Sequence, residues 1–218
     1  SNAFGVNSAT TLSNGVVLDL NNFNNSIGGL NGNGSVTLGS ANLTLGGGGQ
    51  TGTFGGSISG TGGLYKTFAG RQTLTGSNTY SGVTRVDGGI LTLAGTNGSA
   101  IYSDGRNGKL IIGGNGNGYY GIFNMVEIGA ARQLGANVDL EFDVNVPYSY
   151  LALMGNNLEI GNLTMNGSRS DWAVIENSEG VYGLSTGAYS KASFTINQTA
   201  NTTYNGYIRD TWANGNVN

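Results

Sequence analysis

The densest set of residues able to do acid–base or metal chemistry is Asp139-Leu140-Glu141-Phe142-Asp143. In an extended strand its three carboxylates share one face at intervals of about 7 Å, with Val138, Leu140, Phe142, Val144 and Val146 opposite. The triplet reads in two ways. It could hold Ca²⁺, or supply the carboxyl pair of a glycoside hydrolase, whose members stand roughly 5–9.5 Å apart. Alternatively it is the charged outer face of a strand, which keeps one sheet from sticking to another. The second reading is favoured, because no set of Arg, Lys and Asn ligands lies beside the triplet in sequence and a lyase of this type needs a basic proton acceptor.

The rest of the composition narrows the chemistry further. Among 218 residues there are 12 Asp and Glu, 9 Lys and Arg, no His and no Cys. Without Cys there are no disulfides, iron–sulfur clusters or thiol nucleophiles, and without His there is no imidazole shuttle. Zinc fingers and the common zinc sites go with them. The basic residues form no cluster that could neutralise a run of phosphates, so nucleic acid is excluded as a partner. The segments Asp104-Gly105-Arg106-Asn107-Gly108 and 113–118 read as turns, since they lack the acidic spacing of a calcium loop. The glycine runs at 46–49 and 113–118 are not phosphate loops, because no Lys-Ser/Thr follows them into a helix. Tyr102, Tyr119, Tyr120, Phe123, Tyr148 and Tyr150 enrich the middle of the chain in aromatics. They read first as buried caps of an irregular coil, and second as an exposed face that stacks on sugars. The sequons at Asn42 and Asn162 would matter in a eukaryotic secreted protein. The expectation is a chain with no catalytic residues, no metal and no cofactor.

These residues must be carried by strands. Glycine is 41 of the 218 residues, asparagine 29 and proline 1. A glycine costs about 1 kcal/mol per helix position relative to alanine, so helices are excluded almost throughout. Apolar residues alternate in bursts such as Val16-Val17-Leu18-Asp19-Leu20, Val36-Thr37-Leu38, Leu43-Thr44-Leu45, Ile90-Leu91-Thr92-Leu93 and Leu110-Ile111-Ile112, each closed by Gly or Asn. Period two with turn-forming boundaries gives short strands with one buried face. Leu18, Leu38 and Ile58 lie 20 apart, Leu74, Leu93 and Ile112 lie 19 apart, and Leu140 and Ile160 lie 20 apart. A step of 19–20 residues predicts the coil of a β-solenoid, with these leucines and isoleucines stacked in rows. An antiparallel sandwich is the alternative. No apolar run reaches the roughly 18 residues of a membrane helix. Ser1-Asn2-Ala3 reads as the remnant of a cleaved tag, leaving 4–218 as one β-helix fragment.

Between Gly60 and Leu91 the residues become specific. Gly60, Gly62-Gly63-Leu64, Lys66, Gly70, Asn78-Thr79-Tyr80-Ser81-Gly82, Thr84, Val86, Gly89 and Leu91 follow a spaced pattern. The pattern resembles the autotransporter-associated β-strand repeat, also called the passenger-associated transport repeat. Two departures are visible: Phe68 replaces the first Gly after Lys66, and Arg71-Gln72 stand where small residues are usual. The resemblance, with its lead-in, covers residues 16–95. Residues 96–218 read as further coils, and Gln198 to Trp212 echoes Gln50 to Gly62 like the start of another lead-in. The resemblance implies an all-β, right-handed parallel β-helix in a bacterial secreted or outer-surface passenger. Its implied role is structural display, export and folding, with a share in adhesion. A carbohydrate-active or glycan-binding module is the alternative. The implied partners are the remainder of a longer polypeptide with a C-terminal translocator barrel, and a host surface or polysaccharide. Within the repeat, Asn78, Thr79, Tyr80 and Gly82 are expected to make a tight corner. Tyr80 would pack on the coil, Asn78 would satisfy backbone groups, and Gly82 would supply a left-handed residue.

Overall fold

A computed structural model describes residues 5–96, 99–101, 108–113, 123–145, 148–169, 172–177 and 191–210. Tyr102, the Asp104–Asn107 loop, residues 114–118, Tyr119, Tyr120, Val146, Trp212 and the first three residues lie outside them. The described chain is a parallel β-helix whose strands climb in sequence order along three faces. The first face carries the strands Thr10–Leu12, Leu30–Gly32, Gly52–Phe54, Arg71–Leu74, Gly89–Leu93, Asn124–Ile128, Ser149–Ala152, Ala173–Asn177 and Tyr207–Asp210. The second begins with Val17–Asp19, Ser35–Thr37 and Ser57–Ser59, and resumes higher up with Leu158–Ile160 and Phe194–Ile196. The third runs from Asn25–Ser26 through Leu43–Leu45, Leu64–Lys66, Thr84–Val86, Lys109–Ile112 and Asp139–Asp143 to Leu163–Asn166. All the strand pairings are parallel, which removes the antiparallel sandwich.

The alternation in sequence sets which side faces in. Val17-Leu18-Asp19 buries only its leucine, and Leu43-Thr44-Leu45 buries both leucines around a half-buried threonine. Inward residues stack into a continuous core that includes Leu18, Val36, Ile58, Leu74, Leu93 and Ile128. Asparagines at the turns tie one coil to the next. Asn24 Oδ1 accepts the Asn42 N–H at 2.8 Å, and Asn42 Oδ1 accepts the Gly63 N–H at 2.8 Å. Each such amide gives a turn N–H the partner that a strand would otherwise supply.

The rows of the core differ from those expected. Leu74 does lie beside Leu93. Leu18, however, pairs with Val36 rather than Leu38, and Leu140 pairs with Leu163 rather than Ile160. Leu93 pairs with Ile128 on the first face, whereas Ile112 lies between Val86 and Phe142 on the third. A three-faced coil brings an inward residue back about every third of a turn, so equal spacing alone does not distinguish one face from another. The coil length also varies. Thr10, Leu30 and Gln72 over Gly52 keep steps near 20 residues, whereas Leu91 meets Val126 after 35 and Val126 meets Leu151 after 25. After Leu93 the step between paired residues lengthens while the parallel ladder continues.

Both departures from the repeat pattern have a structural account. Phe68 sits in the left-handed region at φ 56°, where a non-glycine residue costs roughly 1–2 kcal/mol, which is why the pattern has glycine there. Gln72 is buried over Gly52, and its side-chain amide reaches past that glycine to Leu30. It accepts the Leu30 N–H at 3.0 Å and donates to the Leu30 carbonyl at 2.9 Å, closing the ladder across two coils. Arg71 donates to Thr92 Oγ1 at 2.7 Å and to the buried carboxylate of Glu127, two strands up the same face.

Candidate functional site

The segment Asn78–Gly82 occupies the second face where its regular strands stop. Asn78 is 2% exposed and stands in for a strand residue. Its Oδ1 accepts the Ile58 N–H from the coil below at 2.9 Å, and its Nδ2 donates to the Ala100 carbonyl of the coil above at 2.7 Å. The exposed Thr79 contributes its backbone, whose N–H donates to the Ile58 carbonyl at 2.8 Å. Tyr80 is 1% exposed and shares a 2.6 Å hydrogen bond with the buried Thr84 hydroxyl. Gly82 differs from expectation, because it lies outside the left-handed region. Its requirement is closeness: a Cβ there would lie 2.2 Å from the Gly62 carbonyl oxygen. The coil below packs against that backbone too tightly for any side chain.

Lys66 was missed as a site residue. Its side chain points inward, and Nζ donates to the carbonyls of Thr67 at 2.9 Å, Phe68 at 2.9 Å and Gly88 at 3.0 Å. The ammonium thus gathers the unpaired carbonyls where the third face turns into the first. Burial pulls its pKa from 10.5 to about 8. Between those values the unfolded chain holds a proton that the folded chain has released, so stability rises with pH across that window. The rise is at most about 3 kcal/mol, because the three carbonyls favour the charged form. Burial moves the phenols of Tyr80 and Tyr204 the other way, well above their ordinary value. Above about pH 10 the unfolded phenols ionise first and stability falls again. Chemical denaturation from pH 7 to 11 should therefore show a maximum near pH 10, and Lys66→Met should abolish the rising limb.

Asp139 and Glu141 are half-buried and Asp143 is buried, and the three do not converge. Asp139 Oδ1 accepts the Asn162 N–H at 2.7 Å and the Asn162 Nδ2 at 3.0 Å. Glu141 pairs with Lys109 of the preceding coil at 2.5 Å. Asp143 accepts Arg85 Nη2 at 2.9 Å and Asn145 Nδ2 at 2.7 Å. Arg85 also donates through Nε to Asp87 at 2.6 Å. Burial opposes the guanidinium charge, but Asp143 and Asp87 outweigh it and hold Arg85 above its ordinary pKa. Burial likewise raises the Asp87 carboxyl against the pull of Arg85. The cations come from residues 58 and 32 positions away, which sequence neighbours could not reveal. Among the described residues no group of three or more acidic side chains is placed to hold a metal ion.

The Lys66 corner and the Asn78–Gly82 joint both fall within a segment that matches a known family model, that of the passenger-associated-transport-repeat, over residues 64–93. Residues 64–93 are similar to the transport repeat. This repeat begins on the third face at Leu64, turns the Lys66 corner, carries the Asn78–Gly82 joint and closes on the first face at Leu93. Over 99 residues, 42% of the chain, there is 43% identity with a protein described as the adhesin BmaC autotransporter of Brucella suis biovar 1 (strain 1330). The chain spans about 3% of the length of that curated relative. No solved structure matches it. The transport repeat ends where the regular coils end, immediately before the step lengthens to 35 residues.

Proposed function

We propose that this chain is a structural display segment of a bacterial autotransporter-like passenger, carried on the outer surface or secreted, which assists export and folding and contributes to adhesion. The supporting observation is the transport repeat at a joint in an otherwise continuous parallel stack. Residues 4–218 act as one β-helix unit in this reading, joined to the remainder of a longer polypeptide with a translocator domain. A chain without cysteines can cross a membrane unfolded and then stack coil on coil, each added coil gaining nearest-neighbour pairing. Among the described residues no helix is long and apolar enough to cross a membrane.

The reading includes catalytic silence, because each member of the acidic triplet is tied to a neighbouring side chain. Incubation with acidic and neutral polysaccharides, with and without Ca²⁺, should release no reducing ends or unsaturated products. Location is tested on whole cells producing the complete polypeptide. Antibody raised against residues 4–218 should label intact cells or the medium, and label confined to lysed cells would overturn the reading.

A further inference from the structure

Asparagine is followed by glycine at 14–15, 31–32, 33–34, 166–167 and 205–206 of the described chain. Such a pair is chemically reactive, because glycine has no Cβ to shield its nitrogen from the side-chain carbonyl that precedes it. Reaction requires that nitrogen to swing toward the asparagine Cγ. Packing and hydrogen bonding therefore decide which pair reacts.

The later pairs are held by the stack. Asn31 Oδ1 accepts the Thr53 N–H at 3.0 Å, and a Cβ on Gly32 would lie 2.1 Å from the Leu12 carbonyl oxygen. The Gly34 N–H donates to the Leu12 carbonyl at 3.0 Å, and Gly34 itself is buried. A Cβ on Gly167 would lie 3.1 Å from Val144 Cγ2, and one on Gly206 would lie 2.5 Å from the Ala173 carbonyl oxygen. Asn14-Gly15 differs on every count. Both residues are exposed, and a Cβ on Gly15 would meet nothing within 4 Å. Among the described residues nothing bonds the Asn14 side chain or the Gly15 N–H.

The pair is the tip of the turn between Thr10–Leu12 and Val17–Asp19, closed by the Val16 N–H on the Ser13 carbonyl at 3.0 Å. Both flanks are tied to the next coil. The Leu12 carbonyl accepts the Asn33 and Gly34 N–H groups, and the Val16 carbonyl accepts the Ser35 N–H at 2.8 Å. The tip is free to change while the coil stays anchored on either side of it.

We propose that Asn14 is a site of spontaneous modification, converted to aspartate and isoaspartate while the chain stays folded. The Gly15 nitrogen gives up its proton and attacks Asn14 Cγ. A C–N bond forms, the Cγ–Nδ2 bond breaks, and ammonia leaves with that proton. Water then opens the five-membered imide, giving aspartate from attack at Cγ and isoaspartate from attack at the backbone carbonyl. The product carries a new carboxylate. Asp19 is the sole charged side chain before Lys66, so conversion doubles the side-chain charge of the first coils. A neutral surface becomes acidic with age. This inference does not rest on the display reading.

The test is incubation of the folded 218-residue chain in warm, mildly alkaline buffer beside a sample held unfolded in guanidinium. Proteolysis and peptide mass spectrometry at intervals detect the gain of about 1 Da, and enzymatic methylation detects isoaspartate. In the folded chain Asn14 should convert about tenfold or more faster than Asn31, Asn33, Asn166 or Asn205, which react only when their coil opens. In guanidinium all of them should convert at similar rates. The folded Asn14→Gln chain should show no conversion in that peptide and should melt as the wild type does. The proposal is overturned if Asn14 stays intact in the folded chain while it converts in guanidinium, or if the other asparagines keep pace with it before unfolding.

Discussion

Tyr80→Ala should lower the stability of the folded chain by about 3–5 kcal/mol, the cost typical of emptying an aromatic site in a packed core. Tyr80 is among the largest fully buried side chains, and it fills the coil at the level where the second face loses its regular strands. Its removal leaves a cavity and strands the buried Thr84 hydroxyl. Tyr80→Phe keeps the ring and loses only the hydrogen bond, so it should cost about 1 kcal/mol. Thermal or urea melts of the two variants separate the packing contribution from the polar one. Equal losses would mean that the hydroxyl, not the ring, holds this joint.

Gly82→Ala should be still more damaging, at more than about 4 kcal/mol, for a reason unrelated to backbone torsion. The added Cβ would meet the Gly62 carbonyl oxygen at 2.2 Å and its carbon at 2.4 Å, both backbone atoms of the coil below. Neither can rotate away, so the coils must part locally and weaken the hydrogen bonds beside them. Gly15 gives the contrast: its φ is +80°, yet a Cβ there meets nothing within 4 Å. Gly15→Ala should therefore cost only about 1–2 kcal/mol, from left-handed backbone alone. If both variants melt alike, close approach is not what requires Gly82.

The fold was legible because its causes are local. Alternation in Val17-Leu18-Asp19 and Leu43-Thr44-Leu45 gives short strands with one buried side, and Gly and Asn between them give corners. Coil register was less legible. Leu74 and Leu93 share a row, but Leu93 and Ile112 have the same spacing and lie on different faces. Nothing local in the sequence signals that the step between Leu91 and its partner Val126 lengthens to 35 residues. Parts of the site depend on distant partners: Gln72 bonds Leu30 from 42 positions away, and Arg85 meets Asp143 from 58. Lys66 stands out in sequence only as a position of the repeat pattern, and its role was hidden because the carbonyls that receive it come from a corner and from the next coil. Phe68 did stand out as a departure from the repeat pattern, and its left-handed backbone gives that departure physical meaning.

In the proposed function, the segment similar to the transport repeat acts in display by holding the stack together. Its most direct test is the surface yield of the complete polypeptide on whole cells, measured by protease access for the wild type, Tyr80→Phe, Tyr80→Ala and Gly82→Ala. Surface yield should fall in the same order as the melting temperatures of the purified chains, with Tyr80→Phe near wild type and Gly82→Ala lowest. Full display of Tyr80→Ala and Gly82→Ala despite lowered melting temperatures would contradict the account.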